Sequence, residues 1–198
     1  KKLYENQLDG WVNAFLKEKD FFISPKASIL LIEAIGADLS RLATELEKLT
    51  IVLQKGTTIN EIHIEENIGI SKDYNPFELA NAIAKRDVEK SFKIINYFEK
   101  NPKAAHITML IPNIYNLFER LMKAHFMNVR DANQLQSALK VNFYVAKEMM
   151  QAMQIYKPKK IAANITLLHE YDLKSKGMNR GSASDADLLR ELVYQLTH

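Results

Sequence analysis

The residues best suited to chemistry in this chain are five histidines, a carboxylate pair and two clusters of lysine and arginine. His63, His106, His125, His169 and His198 stand far apart in sequence. His106 and His125 could share one helical face, yet 19 residues at 1.5 Å each hold them about 28 Å apart. They cannot share a metal, and each reads as a surface or packed polar residue. Glu65 and Glu66 are adjacent, so on a helix they point to different faces and form no acid–base pair. The chain has no Cys, which excludes a disulfide scaffold, a thiolate metal site and a thiol nucleophile. No Gly is followed by Lys, so the phosphate-binding loop is missing, as are the dinucleotide glycine fingerprint and His-Glu-x-x-His. Lys157, Lys159 and Lys160 invite a phosphate contact, and Lys174, Lys176 and Arg180 could extend it. The helix between them is about 15 residues long, which puts the clusters roughly 22 Å apart at opposite ends. The second cluster also sits where cations favour a helix C-terminus. Gly177 to Gly181 has the spacing of a small-residue packing motif, but in a loop it means a turn. No catalytic site and no cofactor is expected; the residues describe a helical binding or assembly module.

Composition sets the frame around those residues. A chain of 198 residues, 47% hydrophobic and 26% charged, can bury a real core in one large or two small domains. Six Gly and five Pro are too few for a turn-rich β architecture. No apolar run approaches the roughly 20 residues that span a bilayer. The opening Lys1-Lys2-Leu3-Tyr4 has neither an initiator Met nor a signal-peptide pattern and looks like the start of an excised piece. The net charge of +3 hides an asymmetry, about −3 over residues 1–70 and +6 over 71–198. That excess permits attraction to nucleic acid or an acidic partner without demanding it, because the cations are dispersed among acids.

Apolar residues recur at three- and four-residue intervals almost throughout, the period of helices with one buried face. Leu8, Trp11, Val12, Phe15 and Leu16 form the first stripe. Ser24-Pro25 is an N-cap followed by Pro at the first helical position. It opens a helix through Ala27, Leu30, Leu31 and Ala34 that Gly36 stops. Asp38 caps the next, with Leu39, Leu42, Ala43, Leu46 and Leu49 inward and Arg41, Glu45 and Lys48 on the wet face. A short extended piece, 57–59, precedes a brief helix capped by Asn60. Residues 70–74 lack helical period and mark a boundary between domains at 1–72 and 73–198. Asn75-Pro76 and Asp87 open the next helices. The longest series runs through Ile107, Leu110, Ile111, Ile114, Phe118, Leu121, Met122 and Phe126, with Pro112 inside it predicting a kink or two helices meeting. Helices follow at about 131–139, 143–155, 158–174 and 185–196. The fold class is all-α.

Around residues 143–153 the apolar positions are wider than one buried face requires. Phe143, Tyr144, Met149, Met150 and Met153 make this the candidate subunit contact, with Lys147 as a charged position on the same helix.

The block Gly36-Ala37-Asp38-Leu39-Ser40-Arg41-Leu42-Ala43-Thr44-Glu45-Leu46-Glu47-Lys48-Leu49 resembles the helical lid of the delta subunit of bacterial DNA polymerase III, a clamp-loader component. Its motif positions here are Gly36, Asp38, Leu39, Arg41, Leu42 and Glu45. Near the C-terminus, Tyr171 to Gly177 is similar to the ending of that family's penultimate helix, through Asp172, Lys176 and Gly177. The resemblance spans nearly the whole chain and is most specific at Gly36–Leu49.

The resemblance implies a small helical lid of the AAA+ type, residues 1–72, followed by a helical-bundle collar, 73–198, that assembles subunits. An ATPase-like first domain would precede them. In ATP-binding relatives the lid carries a sensor arginine; the matching position here is Ser40, with Arg41 one step on, about 100° around the helix. The implied role is a non-catalytic subunit of the DNA polymerase III holoenzyme, a nucleotidyltransferase, that helps load the sliding clamp during replication. Implied partners are the gamma/tau and delta prime subunits, the clamp through the missing first domain, and DNA through the complex. The implied setting is the bacterial cytoplasm, with no membrane. The alternative is an unrelated all-helical nucleic-acid-binding module.

Overall fold

The computed structural model describes residues 5–198, without the side chains of Glu5 and Asn6; the Lys1–Tyr4 opening lies outside the described residues. Eleven helices and one pair of two-residue strands are found among the described residues. The chain divides into two compact units. One runs to Asp73 and includes Lys140–Tyr144; the other comprises Tyr74–Leu139 and Val145–His198.

The first unit is built from α1 (Glu5–Lys17), β1 (Phe22–Ile23), α2 (Pro25–Ile35), α3 (Leu39–Val52), β2 (Thr58–Ile59) and α4 (Glu61–Ile68). Its helices begin where short polar side chains bond first-turn N–H groups. Ser24 Oγ accepts from Ala27 N–H at 3.1 Å and Asp38 Oδ1 from Arg41 N–H at 3.0 Å. Asn60 Oδ1 accepts from the N–H groups of Ile62 and His63, while His63 Nδ1 accepts from Asn60 N–H. That reciprocal box is why His63 sits where it does. The strands pair in parallel, Phe22 with Thr58 and Ile23 with Ile59, and draw α2 beside α4. Leu8, Val12, Leu16, Leu31, Leu42, Leu46, Leu49, Ile59 and Ile64 are fully buried. Each contributes about 1.5–3 kcal/mol by leaving water. Ala34 is exposed, contrary to the stripe assigned to α2; Ile29 and Ile32 take its place inside.

The second unit contains α5 (Pro76–Ala84), α6 (Val88–Lys100), α7 (Ile107–Phe126), α8 (Ala132–Leu139), α9 (Phe143–Ile155) from Val145 on, α10 (Pro158–Ser175) and α11 (Asp185–Thr197). The α7–α10 pair makes its most extensive packing, and α11 lies against α6 and α10. The core runs through Ile83, Ile94, Ile95, Leu110, Ile114, Phe118, Leu121, Ile161, Leu168, Leu192 and Val193. One helix passes through Pro112 without a break. Pro112 is exposed, so water can take the carbonyl that proline leaves unbonded. Phe126, assigned by its period to the buried series, is 81% exposed at the end of α7. Beyond it Asn128 turns the chain at φ 56, so no neighbouring turn closes over that ring.

Candidate functional site

The Gly36–Leu49 block is a helix-turn-helix joint. Gly36 N–H closes α2 on the Ile32 carbonyl at 2.7 Å. Its backbone, φ 78 and ψ −157, lies in a region essentially confined to glycine. Asp38 then caps α3, Leu39 is the first helical residue, and Leu42 is fully buried. Arg41 is exposed, and Glu45 pairs with Lys48 Nζ at 2.9 Å. Of these residues Leu42 lies within the core and Leu39 packs against it. The block therefore specifies how α2 hands over to α3.

Asp172, Lys176 and Gly177 play the equivalent part at the end of α10. Asp172 Oδ2 accepts from Lys176 Nζ at 2.5 Å, one turn apart. Gly177 adopts φ 95. Its N–H bonds the Lys174 carbonyl and Met178 N–H bonds the Leu173 carbonyl, both at 3.0 Å. This Schellman closure satisfies two orphan carbonyls and explains the glycine. Arg180 then donates to Ala183 O at 2.8 Å and to Asp185 Oδ1 at 2.6 Å, leading into the Ser184 cap of α11. Asp172 and Lys176 also line a groove of about 440 Å³ with Ile111, Pro112, Tyr115, Leu168 and His169.

The positions on α9 separate into two sets. Met149 and Met153 are buried with Ala146 and Ala152, so they are core filler, not a contact surface. Phe143 and Tyr144 are 40% and 55% exposed, Lys147 is exposed and Met150 is half-buried. Phe143, Lys147 and Met150 follow one helical face at four- and three-residue steps, with Tyr144 on its flank. Phe143 and Tyr144 meet edge to face, centroids 6.3 Å apart, and Asn142 Oδ1 accepts from Tyr144 N–H at 2.9 Å. The boundary between the units falls inside α9, so Phe143 and Tyr144 group with the first and Lys147 and Met150 with the second.

The remaining histidines are dispersed. His106 caps α7 and lies 3.5 Å from Asp185. His125 Nε2 donates to the Tyr156 carbonyl at 2.9 Å, and His198 stacks on Tyr194. His169 is exposed at the groove. Among the described residues no group of three or more His, Cys, Asp or Glu is placed to hold a metal. Tyr156 is fully buried; its hydroxyl donates to the Ile83 carbonyl at 2.6 Å, and burial pushes its pKa up to about 12.

A further arrangement spans too much sequence to be read from it. The last carbonyls of α11 are capped by side chains from two other places. Arg86 Nε donates to Thr197 O at 2.6 Å, Lys160 Nζ to Gln195 O at 3.0 Å and buried Asn164 Nδ2 to Leu196 O at 3.1 Å. Arg86 and Thr197 are 111 residues apart, and no periodicity links them.

Comparison with known proteins gives this geometry a context. Residues 73–193 match the family model described as DNA polymerase III delta subunit, C-terminal domain. No curated protein sequence matches. Among solved structures, the Bacillus subtilis DNA clamp loader delta protein is similar over all of this chain and 57% of its own, with a TM-score of 0.63 and 21% identity. The chain thus spans little more than half of that relative, and at this identity the likeness is one of fold.

Proposed function

The chain belongs to the DNA polymerase III delta-subunit family, and on that footing we propose that it is a non-catalytic clamp-loader subunit that helps place the sliding clamp on DNA during replication. The observation that carries this reading is the family match over residues 73–193, joined to a likeness of fold that extends through residues 1–72. In this reading residues 1–72 are the lid and 73–198 the collar. The lid links the collar to a first domain that reaches the clamp. The collar packs beside the gamma/tau and delta prime subunits in the bacterial cytoplasm, and DNA is engaged by the assembled complex.

The lid reading suits a joint without nucleotide chemistry. Ser40 stands at the first turn of α3 where ATP-binding relatives carry an arginine, and Arg41 is exposed with its backbone N–H on the Asp38 cap. The Gly36–Asp38 turn supplies a defined angle between helices, which is what a connecting domain needs. On α9, the Phe143, Tyr144, Lys147 and Met150 positions supply the collar contact.

Co-elution of the chain with purified gamma/tau and delta prime subunits in size-exclusion chromatography tests the proposal. A stable complex is the expected result. Separate elution, together with tight oligonucleotide binding that falls by orders of magnitude between about 50 and 200 mM salt, would favour the stand-alone nucleic-acid module instead.

A further inference from the structure

We propose that Arg86, Lys157, Lys159 and Lys160 form a cationic pole on the second unit that docks the phosphate backbone of a single nucleic-acid strand. The proposal rests on the clamp-loader reading for its setting and on the geometry for its residues.

Three elements converge at this pole. The Tyr156 hydroxyl, bonded to the Ile83 carbonyl, ties the α9–α10 junction, which Lys157 follows, to the last turn of α5, which Lys85 and Arg86 follow. Arg86 and Lys160 both cap the last turn of α11. Lys157 is the N-cap of α10, and Lys159 and Lys160 lie in its first turn. Burial lowers the pKa of Lys160, and the nearby Arg86 charge lowers it further.

These cations lack carboxylate partners. Elsewhere in the unit Lys90, Lys93, Lys123, Lys174, Lys176, Arg180 and Arg190 are each paired with Asp or Glu, while Lys100, Lys103, Arg130 and Lys147 make no ion pair among the described residues. At the pole, side-chain bonds go to carbonyls: Thr197 for Arg86, Met153 for Lys157 at 3.4 Å, and Gln195 for Lys160. Lys159 is exposed, and among the described residues its side chain makes no hydrogen bond or ion pair. The nearest acids are engaged already. Glu148 is held by Lys85 at 3.0 Å, Asp87 caps α6 through Lys90 N–H, and Glu191 bonds Gln195. Arg86 uses only Nε, leaving both Nη groups for a planar bidentate acceptor such as a phosphate. Arg86 also holds φ 56, a conformation that costs a residue with a side chain and places this guanidinium at the pole.

A strand is favoured over an acidic peptide by the aromatic surface at the same helix end. Tyr194 and His198 are exposed and stack with centroids 4.2 Å apart at 22°. An aromatic platform beside cations is the arrangement that holds bases and phosphates together.

Fluorescence anisotropy of a labelled 20-nucleotide oligothymidylate with this chain tests the pole. With four phosphates neutralised, affinity should be weak and fall about 50-fold from 50 to 200 mM salt. Lys157→Glu with Lys159→Glu should weaken binding at least tenfold at 50 mM and reduce the salt slope by about 1.4. Lys100→Glu with Lys103→Glu, at and just beyond the end of α6, whose start after Arg86 is about 18 Å from Lys100, should change affinity less than twofold. Melting by circular dichroism checks folding. If the first pair fails to fold, Lys159→Gln alone serves, with a threefold loss expected. Equal losses from both pairs would overturn the proposal, as would competition by polyglutamate as strong as by unlabelled oligonucleotide, which would assign the pole to an acidic protein segment. No binding by the unmodified chain that still co-elutes with clamp-loader subunits would overturn the pole and leave the subunit reading standing.

Discussion

Among the described residues the first unit buries an almost wholly aliphatic set, with Phe21 its fully buried aromatic, Trp11 and Phe15 packed against the set, and Ser28 a fully buried hydroxyl. The second buries Tyr156, Tyr171, Phe98 and Phe118, together with Asn75, Glu78, Ser91, Asn164 and Thr197. Its polar groups reach across the sequence: Tyr156 to Ile83, Asn164 to Leu196, Arg190 to Asn96 and Glu99, and Lys90 to Glu78. Aliphatic cores accept several packings of similar energy, whereas a buried hydroxyl or amide accepts only the arrangement that supplies its partner. The second unit is therefore specified mainly by matched polar groups, and the first mainly by caps, turns and volume, with Ser28 Oγ donating to Asp9 Oδ1 at 2.6 Å as a polar match inside it. The comparison teaches that a scaffold of helices can be made unique in two ways within one chain.

Core truncations should show the largest effects and test whether the units melt separately. Phe118→Ala removes a fully buried ring that meets Tyr156 edge to face at 5.1 Å and should cost about 3–5 kcal/mol. Leu46→Ala in the first unit should cost about 2–5 kcal/mol. In differential scanning calorimetry each substitution should lower one transition and leave the other in place. A single transition that both substitutions shift together would break the comparison.

Next in size is the tyrosine that distinguishes the second core. Tyr156→Phe removes one of two bonds to the Ile83 carbonyl, which still accepts from Arg86 N–H at 2.9 Å, and should cost about 1–1.5 kcal/mol. With a pKa pushed up to about 12 by burial, the folded state favours the neutral phenol. That contribution is complete below the ordinary tyrosine pKa of about 10 and is lost as pH rises toward 12. Urea unfolding at pH 8 and pH 11 should show the unmodified chain losing more stability than Tyr156→Phe. Equal losses would place the hydroxyl in contact with water.

In the first unit the comparable lesion is backbone. Gly36→Ala meets no atom within 4 Å of the added Cβ, so its cost is conformational, about 1–3 kcal/mol. Asp38→Ala removes the cap beside it and should cost about 1 kcal/mol. Thermal melts should rank these two below either core truncation.

The same division governs what could be read from sequence. Caps act over three residues, so Ser24, Asp38, Asn60, Asn75 and Asp87 announced their helices and the structure places each at a helix start. Periodicity reports a stripe but not its edges. Phe126 and Ala34 fell on stripes and are exposed, while Met149 and Met153 looked like surplus apolar surface and are buried. Pro112 predicted a kink or two helices meeting, and one helix runs through it, since an exposed position makes its missing N–H cheap. The resemblance at Gly36–Leu49 was legible because a glycine at positive φ followed by a cap is local chemistry. Of the cationic pole, Lys157, Lys159 and Lys160 were legible as a local cluster, but Arg86 and the end of α11 were not, because they lie far from that cluster in sequence.

The smallest stability effect is expected at Lys147, and it sharpens the comparison most directly because it asks whether α9 has an outer function. Lys147 is exposed midway along the helix, four residues after Phe143, three after Tyr144 and three before Met150. Its side chain makes no ion pair or hydrogen bond among the described residues, so Lys147→Glu removes nothing from the fold and should change stability by less than about 0.5 kcal/mol. The buried side of α9, through Ala146, Met149 and Ala152, is untouched. If a neighbouring subunit covers the Phe143–Met150 face, the reversed charge must be desolvated without a partner, a penalty of about 2 kcal/mol or more at an interface centre. Co-elution with gamma/tau and delta prime subunits should then weaken at least tenfold while the melting profile holds. A substitution that leaves both melting and co-elution unchanged would move the collar contact off this face, and the exposed Phe126 end of α7 would become the surface to test.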